Sequence, residues 1–270
     1  MLRHTHRSFV AGGGTVHILD TIIRRQKPAR AKRRAEVLVE QPADLRELPA
    51  YGLTEAAHYL RVPLATLRSW VGGRRYPTEA GRKSFKPIIT LPDRCLRSLS
   101  FMNLIEAHVL HAVQAEHHFP RIPLPRAHSA LDYVREQFNS KHPLAEKRFG
   151  SDGLKVFVAR FQGVIPAPES RQAAIRERIQ AYLDRIEYDA NGVALLLYPF
   201  TNEGLDQPKN LVIDPFISFG RPTIRGTGVS TRIIAARHEA GDSVTDLTED
   251  YGCKQAQIEE AIRCERLLAS

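Results

Sequence analysis

The sequence is poor in cysteine and has no long hydrophobic run. Its three cysteines, Cys95, Cys253 and Cys264, fit neither a disulfide framework nor a paired zinc knuckle. No stretch approaches the roughly 18 consecutive apolar residues of a membrane span. Residues 1–11 carry charge but lack the apolar core of a signal peptide. We therefore expect a reduced, cytoplasmic setting and no membrane segment.

The sequence also offers no persuasive set of catalytic or metal-binding residues. His108 and His111 are three residues apart and His117 and His118 are adjacent, but no carboxylate or cysteine completes a ligand set. The glycine-rich stretch 220–228 lacks the lysine of a phosphate-binding loop. We expect no catalytic residue, no metal, no cofactor and no enzymatic activity.

The positive charge of the chain is concentrated near its beginning. The net charge is +9 and the isoelectric point is about 9.7. Residues 1–50 carry 10 Lys and Arg against 5 Asp and Glu, and residues 51–100 carry 9 against 3. Residues 201–270 carry 8 against 11. A polyanion such as DNA would therefore be attracted to the first part of the chain and repelled by the last.

Residues 1–47 form a predicted leader without sustained periodicity. It contains three consecutive glycines at 12–14 and a basic cluster between Arg24 and Arg34. Such a cluster can follow the phosphates of a nucleic acid, or it can be a solvated, disordered leader. We favour a disordered leader in which no single residue has a specific role. A non-specific electrostatic contribution of the basic cluster stays open.

The stretch Tyr51–Trp70 has the pattern of two short helices joined by a tight turn. Thr54 occupies a predicted N-cap position ahead of Glu55. Pro63 disfavours helical geometry at Val62, so the first helix should end there. One face of that helix is apolar, with Leu53, Ala56, Ala57 and Leu60.

The second helix is predicted from Leu64 to Val71. Its inward face holds Leu67, Trp70 and Val71, and its outward face holds Thr66, Arg68 and Ser69. This is the pattern of a helix-turn-helix, whose second helix reads DNA bases. We assign residues 48–92 to a winged helix-turn-helix DNA-binding domain.

The wing is the basic segment that follows Gly72 and Gly73. Two short strands are predicted, at 74–76 and 85–89, around a turn at 78–81. A hairpin of this kind can lie along a phosphate backbone, or it can be a solvated surface hairpin. Next to a helix-turn-helix we favour DNA contact by Arg74, Arg75, Arg82, Lys83 and Lys86.

The rest of the chain is predicted to be mainly α with small β elements. Residues 93–205 are a helical and α/β connecting region. In it we predict helices over 99–118, 127–138 and 173–186, and strands over 154–158 and 193–198.

Residues 206–270 are predicted to form a three-helix, helix-turn-helix-like domain. The first helix is predicted to end near Ala240. The second should run from Ser243 to Tyr251, and the third from Lys254 to Leu268. Ser243 and Asp246 have the spacing of a capping box. The last helix presents Glu259, Glu260 and Glu265, which suit a protein partner or self-association better than DNA.

Two resemblances cover most of the chain. Residues 53–57 (LTEAA), together with Leu60, Val62, 66–68 (TLR) and Trp70, resemble the winged helix-turn-helix of MerR- and excisionase-type proteins. Residues 220–227 (GRPTIRGT), together with 241–243 (GDS), Leu247, Asp250 and Tyr251, resemble a domain found in VapB-like antitoxins. One departure is the insertion of Gly228, Val229 and Ser230 before Thr231 and Arg232.

The second resemblance implies a type II antitoxin that binds a PIN-like ribonuclease toxin and represses the operon of the pair. The partners would be a double-stranded DNA operator, the toxin and a second copy of the chain in a homodimer. Candidate partner-binding residues are Arg221, Arg225, Arg232, Glu259 and Glu260. A stand-alone transcriptional regulator with a ligand-sensing or dimerising C-terminal part is the alternative, and a nuclease is a third possibility without a supporting residue cluster.

Overall fold

One helix lies at the centre of the fold. Residues 101–110 of the helix Phe101–Gln114 are all buried, as is typical of a helix that other elements surround. The computed structural model describes residues 44–78, 81–93, 95–114, 124–162 and 169–266. All described residues belong to one compact unit, and none of their helices is long and apolar enough to cross a membrane.

Helices are the main elements of the described chain. They are α1 (Leu53–Tyr59), α2 (Leu64–Gly72), α3 (Phe101–Gln114), α4 (Leu124–Phe138), α5 (Leu154–Gln162), α6 (Glu169–Leu183), α7 (Thr231–Glu239), α8 (Val244–Tyr251) and α9 (Gln255–Arg266). Short 3-10 turns occur at Leu45–Glu47 and Pro143–Ala145, and a π-helical turn at Phe149–Gly153.

The strands among the described residues form four small antiparallel sheets of two strands each. They are β1 (Tyr51–Gly52) with β4 (Ser98–Leu99), β2 (Arg74–Thr78) with β3 (Gly81–Phe85), β5 (Ile186–Tyr188) with β6 (Ala194–Leu197), and β7 (Leu211–Val212) with β8 (Thr223–Ile224). The prediction of a mainly α protein with small β elements is confirmed.

The buried apolar side chains that the structure describes form two clusters. The larger one extends from Tyr51 to Ile213 and includes α3, which packs against α6. The smaller one lies in the last part of the chain, where α9 packs against α7 and α8. Its central side chains are Ile234, Leu247, Ile258 and Ala261. Removing these apolar surfaces from water stabilises each cluster at about 25 cal/mol per Å².

A loop of residues 199–208 connects the two clusters through buried hydrogen bonds. Arg185 is 3% exposed and donates to the carbonyls of Tyr198 (2.9 Å), Pro199 (3.1 Å) and Gln207 (2.6 Å). In the same loop, Thr201 Oγ1 donates to Glu260 of α9 at 3.1 Å. The loop is therefore fixed both to the hairpin β5–β6 and to the last helix.

The predicted strand at 154–158 is wrong, because these residues begin α5. Leu154, Phe157 and Val158 are buried while Lys155 is exposed, which is helical rather than strand spacing. A short apolar run cannot distinguish the two structures by periodicity alone. The preceding turn is π-helical, and it packs closely: a Cβ on Gly153 would lie 2.7 Å from Phe149.

The predicted N-cap at Thr54 is also wrong. Helix α1 already begins at Leu53, and its N-cap is Gly52, which makes no side-chain capping hydrogen bond. Gly52 and Tyr51 pair with Ser98 and Leu99, so the strand pairing determines where the helix begins. By contrast, the predicted capping box of α8 is present: the side chains of Ser243 and Asp246 each accept a hydrogen bond from the backbone N–H of the other residue.

Part of the predicted leader lies in the described structure. Residues 1–43 lie outside the described residues, and residues 45–47 form a 3-10 helix capped by the side chain of Asp44. Arg46 donates to the carboxylate of Asp189 at 2.8 Å, in the turn between β5 and β6. The end of the predicted leader is thus attached to the folded unit.

Candidate nucleic-acid interface

Helices α1 and α2 are joined by a tight turn that fixes their mutual orientation. Arg61 in this turn has a φ of 55°, a left-handed conformation that non-glycine residues adopt infrequently. Its guanidinium donates to the carbonyl of Thr201 at 2.8 Å, which anchors the turn to the 199–208 loop. Leu67 and Trp70 of α2 are fully buried, so the opposite side of α2 is held towards solvent.

The chain after the β2–β3 hairpin returns to the end of α2. The backbone N–H groups of Ile88 and Ile89 both donate to the carbonyl of Trp70, at 2.8 and 3.1 Å. The predicted second strand at 85–89 is therefore wrong, since β3 is Gly81–Phe85. Pro87 cannot donate a ladder hydrogen bond, and burial of Ile88 and Ile89 takes the chain into the core.

This return places three exposed cations around one cleft. The cleft has a volume of about 990 Å³ and lies between α2, the segment after β3 and α4. Arg68 of α2, Lys86 after β3 and Arg97 before β4 line it and are exposed. None of the three forms an ion pair with another residue in the described part of the chain. Their charges are thus available to an anionic ligand.

The opposite wall of the cleft belongs to α4. Arg135 donates to the carbonyl of Ile88 at 2.7 Å and lies 3.4 Å from Asp132. Asp132 also contacts His128 at 2.7 Å. Counting Arg135, the cleft is lined by four Lys and Arg side chains and a single carboxylate, so it keeps a positive potential.

The predicted DNA-facing residues are thus divided by the structure. Arg68 and Lys86 line the cleft, whereas Thr66 and Ser69 do not. Both of these are half-buried, and the Ser69 hydroxyl donates to the carbonyl of Thr66 at 2.7 Å. Arg97 was not among the predicted site residues. Arg97 belongs to no recognisable sequence motif. Its position next to the cleft depends on the pairing of β1 with β4.

The hairpin carries the remaining predicted residues. Its register pairs Arg74 with Phe85, Arg75 with Ser84, Lys83 with Tyr76, and Arg82 with Pro77. All four predicted cations thus lie in paired strands on either side of residues 79–80, which are outside the described residues. The structure gives their backbone positions, and their contact with DNA stays a prediction.

A buried ionic cluster supports the cleft from the protein interior. Glu106 of α3 is fully buried; its carboxylate lies 3.0 Å from His142 Nδ1 and 3.6 Å from Arg135. His142 Nε2 lies 3.2 Å from Glu47, and Lys141 lies 2.6 Å from the same carboxylate. Arg135 therefore connects this cluster with the wall of the cleft.

The two histidine contacts in the cluster change the acidity of its members. Burial alone lowers the pKa of His142, but the adjacent Glu106 and Glu47 carboxylates outweigh it and raise this pKa to about 9. Hydrogen bonding from His142 lowers the pKa of Glu47 to about 2, against the opposing effect of burial. At neutral pH His142 is charged and holds two carboxylates together.

The predicted partner-facing residues at the other end of the chain have different environments. Arg225, Arg232 and Glu259 are exposed. Arg221 is half-exposed and forms an ion pair with Glu55 of α1 at 2.7 Å. Glu260 is 4% exposed, and besides Thr201 it accepts a hydrogen bond from Asn210 at 2.7 Å.

The prediction that Glu260 faces outward is therefore wrong. The sequence of a helix alone does not show which of its charged side chains faces inward to accept hydrogen bonds from a neighbouring loop. Glu265 is half-buried, and it accepts a hydrogen bond from Thr231 of α7. Glu260 is therefore not available to a partner at the surface of α9.

Of the described histidines of α3, His108 is buried and His111 is half-buried. His108 is 2% exposed, and its Nε2 lies 3.0 Å from the carbonyl of Tyr182. Desolvation lowers the pKa of His108 to about 3 and that of His111 to about 4, so both are neutral at physiological pH. The described residues contain no group of three potential metal ligands, and His117 and His118 lie outside them.

The sequence matches one family model and two proteins of Mycobacterium tuberculosis. A family model described as "Protein of unknown function (DUF433)" matches residues 211–263. The "Putative antitoxin VapB45" of Mycobacterium tuberculosis is 30% identical over 242 residues, which are 83% of this chain and 97% of that protein. The "Uncharacterized protein Rv2308" of the same organism is 28% identical over 240 residues, 85% of this chain and 94% of that protein.

A solved structure is also similar to this chain. The crystal structure of Rv2018 from M. tuberculosis superposes with a TM-score of 0.60 and 26% identity, covering 80% of this chain and 98% of that chain. Since the identity to VapB45 extends over most of both sequences, this chain belongs to the family of the putative antitoxin VapB45.

Proposed function

We propose that this protein is the DNA-binding antitoxin of a type II toxin–antitoxin pair. It neutralises a PIN-like ribonuclease toxin and represses the operon that encodes both proteins. The observation that carries the DNA-binding part is the convergence of Arg68, Lys86 and Arg97 around one cleft beside α2. The family membership supports the antitoxin part.

In this proposal α1, α2 and the β2–β3 hairpin act as a winged helix-turn-helix. Helix α2 enters the major groove, where Arg68 meets a guanine edge. Lys86, Arg97 and the hairpin cations contact phosphates, which orient the protein on the duplex without reading its sequence. A homodimer would read two half-sites of a palindromic operator.

Several features support binding rather than catalysis as the activity. The buried charged side chains have partners within the protein: Glu106 contacts His142 and Arg135, and Arg185 donates to backbone carbonyls. The described histidines of α3 are neutral. We propose that the protein is not an enzyme, and a metal-dependent cleavage assay on RNA and DNA would overturn this by giving a positive result with the purified chain.

One experiment tests both halves of the proposal. The protein is co-expressed with the product of the adjacent reading frame, and the purified material is tested for co-elution, growth rescue and a mobility shift of its own promoter DNA. We expect a stable complex, rescue and a shift. Operator binding without a neighbouring partner would indicate a stand-alone regulator, and the absence of both would contradict the proposal.

A further inference from the structure

The loop of residues 216–219 presents large apolar side chains to solvent. It lies between β7 and β8. The exposed fractions are 55% for Phe216, 43% for Ile217 and 91% for Phe219. Single exposed apolar residues are ordinary on protein surfaces, but three within four residues form a local apolar projection. We refer to Phe216, Ile217, Ser218 and Phe219 as the apolar loop.

The backbone of the apolar loop is left-handed at two consecutive non-glycine residues. Ser218 has a φ of 49° and Phe219 a φ of 54°. Each such residue costs about 1 kcal/mol or more relative to right-handed geometry. Phe219 gains no compensating burial, because its side chain is almost fully exposed. Unfavourable backbone geometry that the surrounding structure holds in place is concentrated at functional sites.

The apolar loop is held in place despite this geometry. The N–H of Phe216 donates to the Asp214 carboxylate at 2.8 Å, and the N–H of Ile217 donates to the Asp214 carbonyl at 3.1 Å. At the other end, the N–H of Gly220 donates to the carbonyl of Ile217 at 2.9 Å. A loop fixed before binding loses little conformational entropy when a partner covers it.

The exit of the apolar loop is packed against the first strand. Gly220 is buried with a φ of 75°, and a Cβ at this position would collide with the hydroxyl of Tyr51. Arg221, the next residue, is neutralised by Glu55. The loop is therefore anchored on its inner side and open on its outer side.

The exposed charges that follow the apolar loop are basic, whereas the Asp214 carboxylate before it is occupied by the N–H of Phe216. Ser218 Oγ donates to the carbonyl of Gly228 at 3.5 Å, which places the turn 225–228 beside the loop. Arg225 in this turn has an exposed side chain, and its contact to Glu187 is long, at 3.8 Å. Arg232 follows at the start of α7 and is also exposed. An apolar projection with a basic rim complements an apolar pocket with a carboxylate rim.

We propose that the apolar loop is the docking element for the toxin, with Phe219 inserted into an apolar pocket that carboxylates surround. This inference rests on the proposed antitoxin function and names the contact surface for it. A second copy of the chain is a poor occupant. A two-fold axis through the loop would place Arg225 and Arg232 against their own copies.

The test is a binding measurement with the purified product of the adjacent reading frame. Full-length protein and the Phe219→Ser variant are titrated against it by calorimetry or interferometry. We expect Phe219→Ser to weaken binding by about 10- to 100-fold, as truncation of a central aromatic anchor does. Phe219→Tyr should retain most of the affinity. The matched control is Leu96→Ser, because Leu96 is 62% exposed and lies outside the apolar loop.

Each outcome of this experiment is decisive. If the unaltered protein binds and Phe219→Ser binds equally well, the docking inference is overturned and the antitoxin proposal stands. An unaltered protein that does not bind overturns the antitoxin proposal and the inference with it. Equal weakening by Phe219→Ser and Leu96→Ser would also contradict the inference, since any exposed apolar residue would then suffice. Retained thermal stability of Phe219→Ser excludes unfolding as the cause.

Discussion

The guanidinium of Arg221 lies 2.7 Å from the carboxylate of Glu55. It also donates to the carbonyl of Ala50 at 3.2 Å and lies 5.7 Å from the ring centroid of Tyr51. Ala50 and Tyr51 lie just before and within β1 and Glu55 lies in the first turn of α1, whereas Arg221 lies between β7 and β8. The contact therefore joins the beginning and the last part of the described chain.

Replacing Arg221 with alanine should lower the free energy of unfolding by about 1 kcal/mol. Half-exposed ion pairs contribute at most about this amount, because solvent screens them; the lost packing on Tyr51 adds to it. Chemical denaturation measures the change. Arg232→Ala is the control, since Arg232 is exposed and should change stability by less than about 0.5 kcal/mol. Equal effects of the two substitutions would contradict this role of Arg221.

Gly220→Ala should destabilise the protein by roughly 2–4 kcal/mol, because it combines a left-handed φ with overpacking against a buried side chain. The added methyl would collide with the Tyr51 hydroxyl. Gly226→Ala is the matched control, with a φ of 83° and no atom within 4 Å of the added Cβ. It should cost only about 1–2 kcal/mol for the backbone.

A double-mutant cycle separates the two contributions to the Gly220 effect. Tyr51→Phe removes the colliding hydroxyl, so Gly220→Ala should cost less in that background. Thermal unfolding of the four proteins measures the coupling. Additive effects would show that Gly220 does not approach Tyr51 as described.

Stability should fall as the pH rises from about 6.5 to 9, on account of His142. Its pKa is about 9 in the folded protein and near 6.5 when unfolded. Protonation therefore stabilises the fold fully below pH 6.5, and this contribution is lost as the pH passes through 9. The loss is on the order of 3 kcal/mol. His142→Gln should be less stable near pH 6 and should lack this decline, and a decline of equal size in both proteins would contradict the assignment.

The local features of the fold could be predicted from the sequence. The capping box of Ser243 and Asp246 involves residues three apart, so sequence spacing is sufficient to predict it. The two-helix pattern before Trp70 is also local, since Pro63 directly precedes α2 and Leu67 and Trp70 mark its buried side. The end of α1 was predicted too late, because the helix stops at Tyr59 rather than at Val62. The strand predicted at 154–158 failed because five residues do not distinguish a strand from a buried helix.

The candidate sites depend on contacts between distant parts of the chain. Arg97 reaches the cleft beside α2 because β4 pairs with β1. Glu260 turns inward because Thr201 and Asn210 offer donors, 59 and 50 residues away. The apolar loop could not be distinguished from a core segment, since exposure of Phe219 follows from the backbone conformation rather than from residue type.

The measurement that tests the central claim most directly is the salt-dependent binding of duplex promoter DNA by single-residue variants of the cleft. Arg68→Ala should weaken binding to the operator by about 1–3 kcal/mol and relax its sequence preference. Lys86→Ala and Arg82→Ala should weaken binding to all duplexes alike and reduce the salt slope by about 1. Binding that these variants leave unchanged, but that substitutions within residues 254–270 abolish, would place the DNA on the other end of the chain and contradict the account.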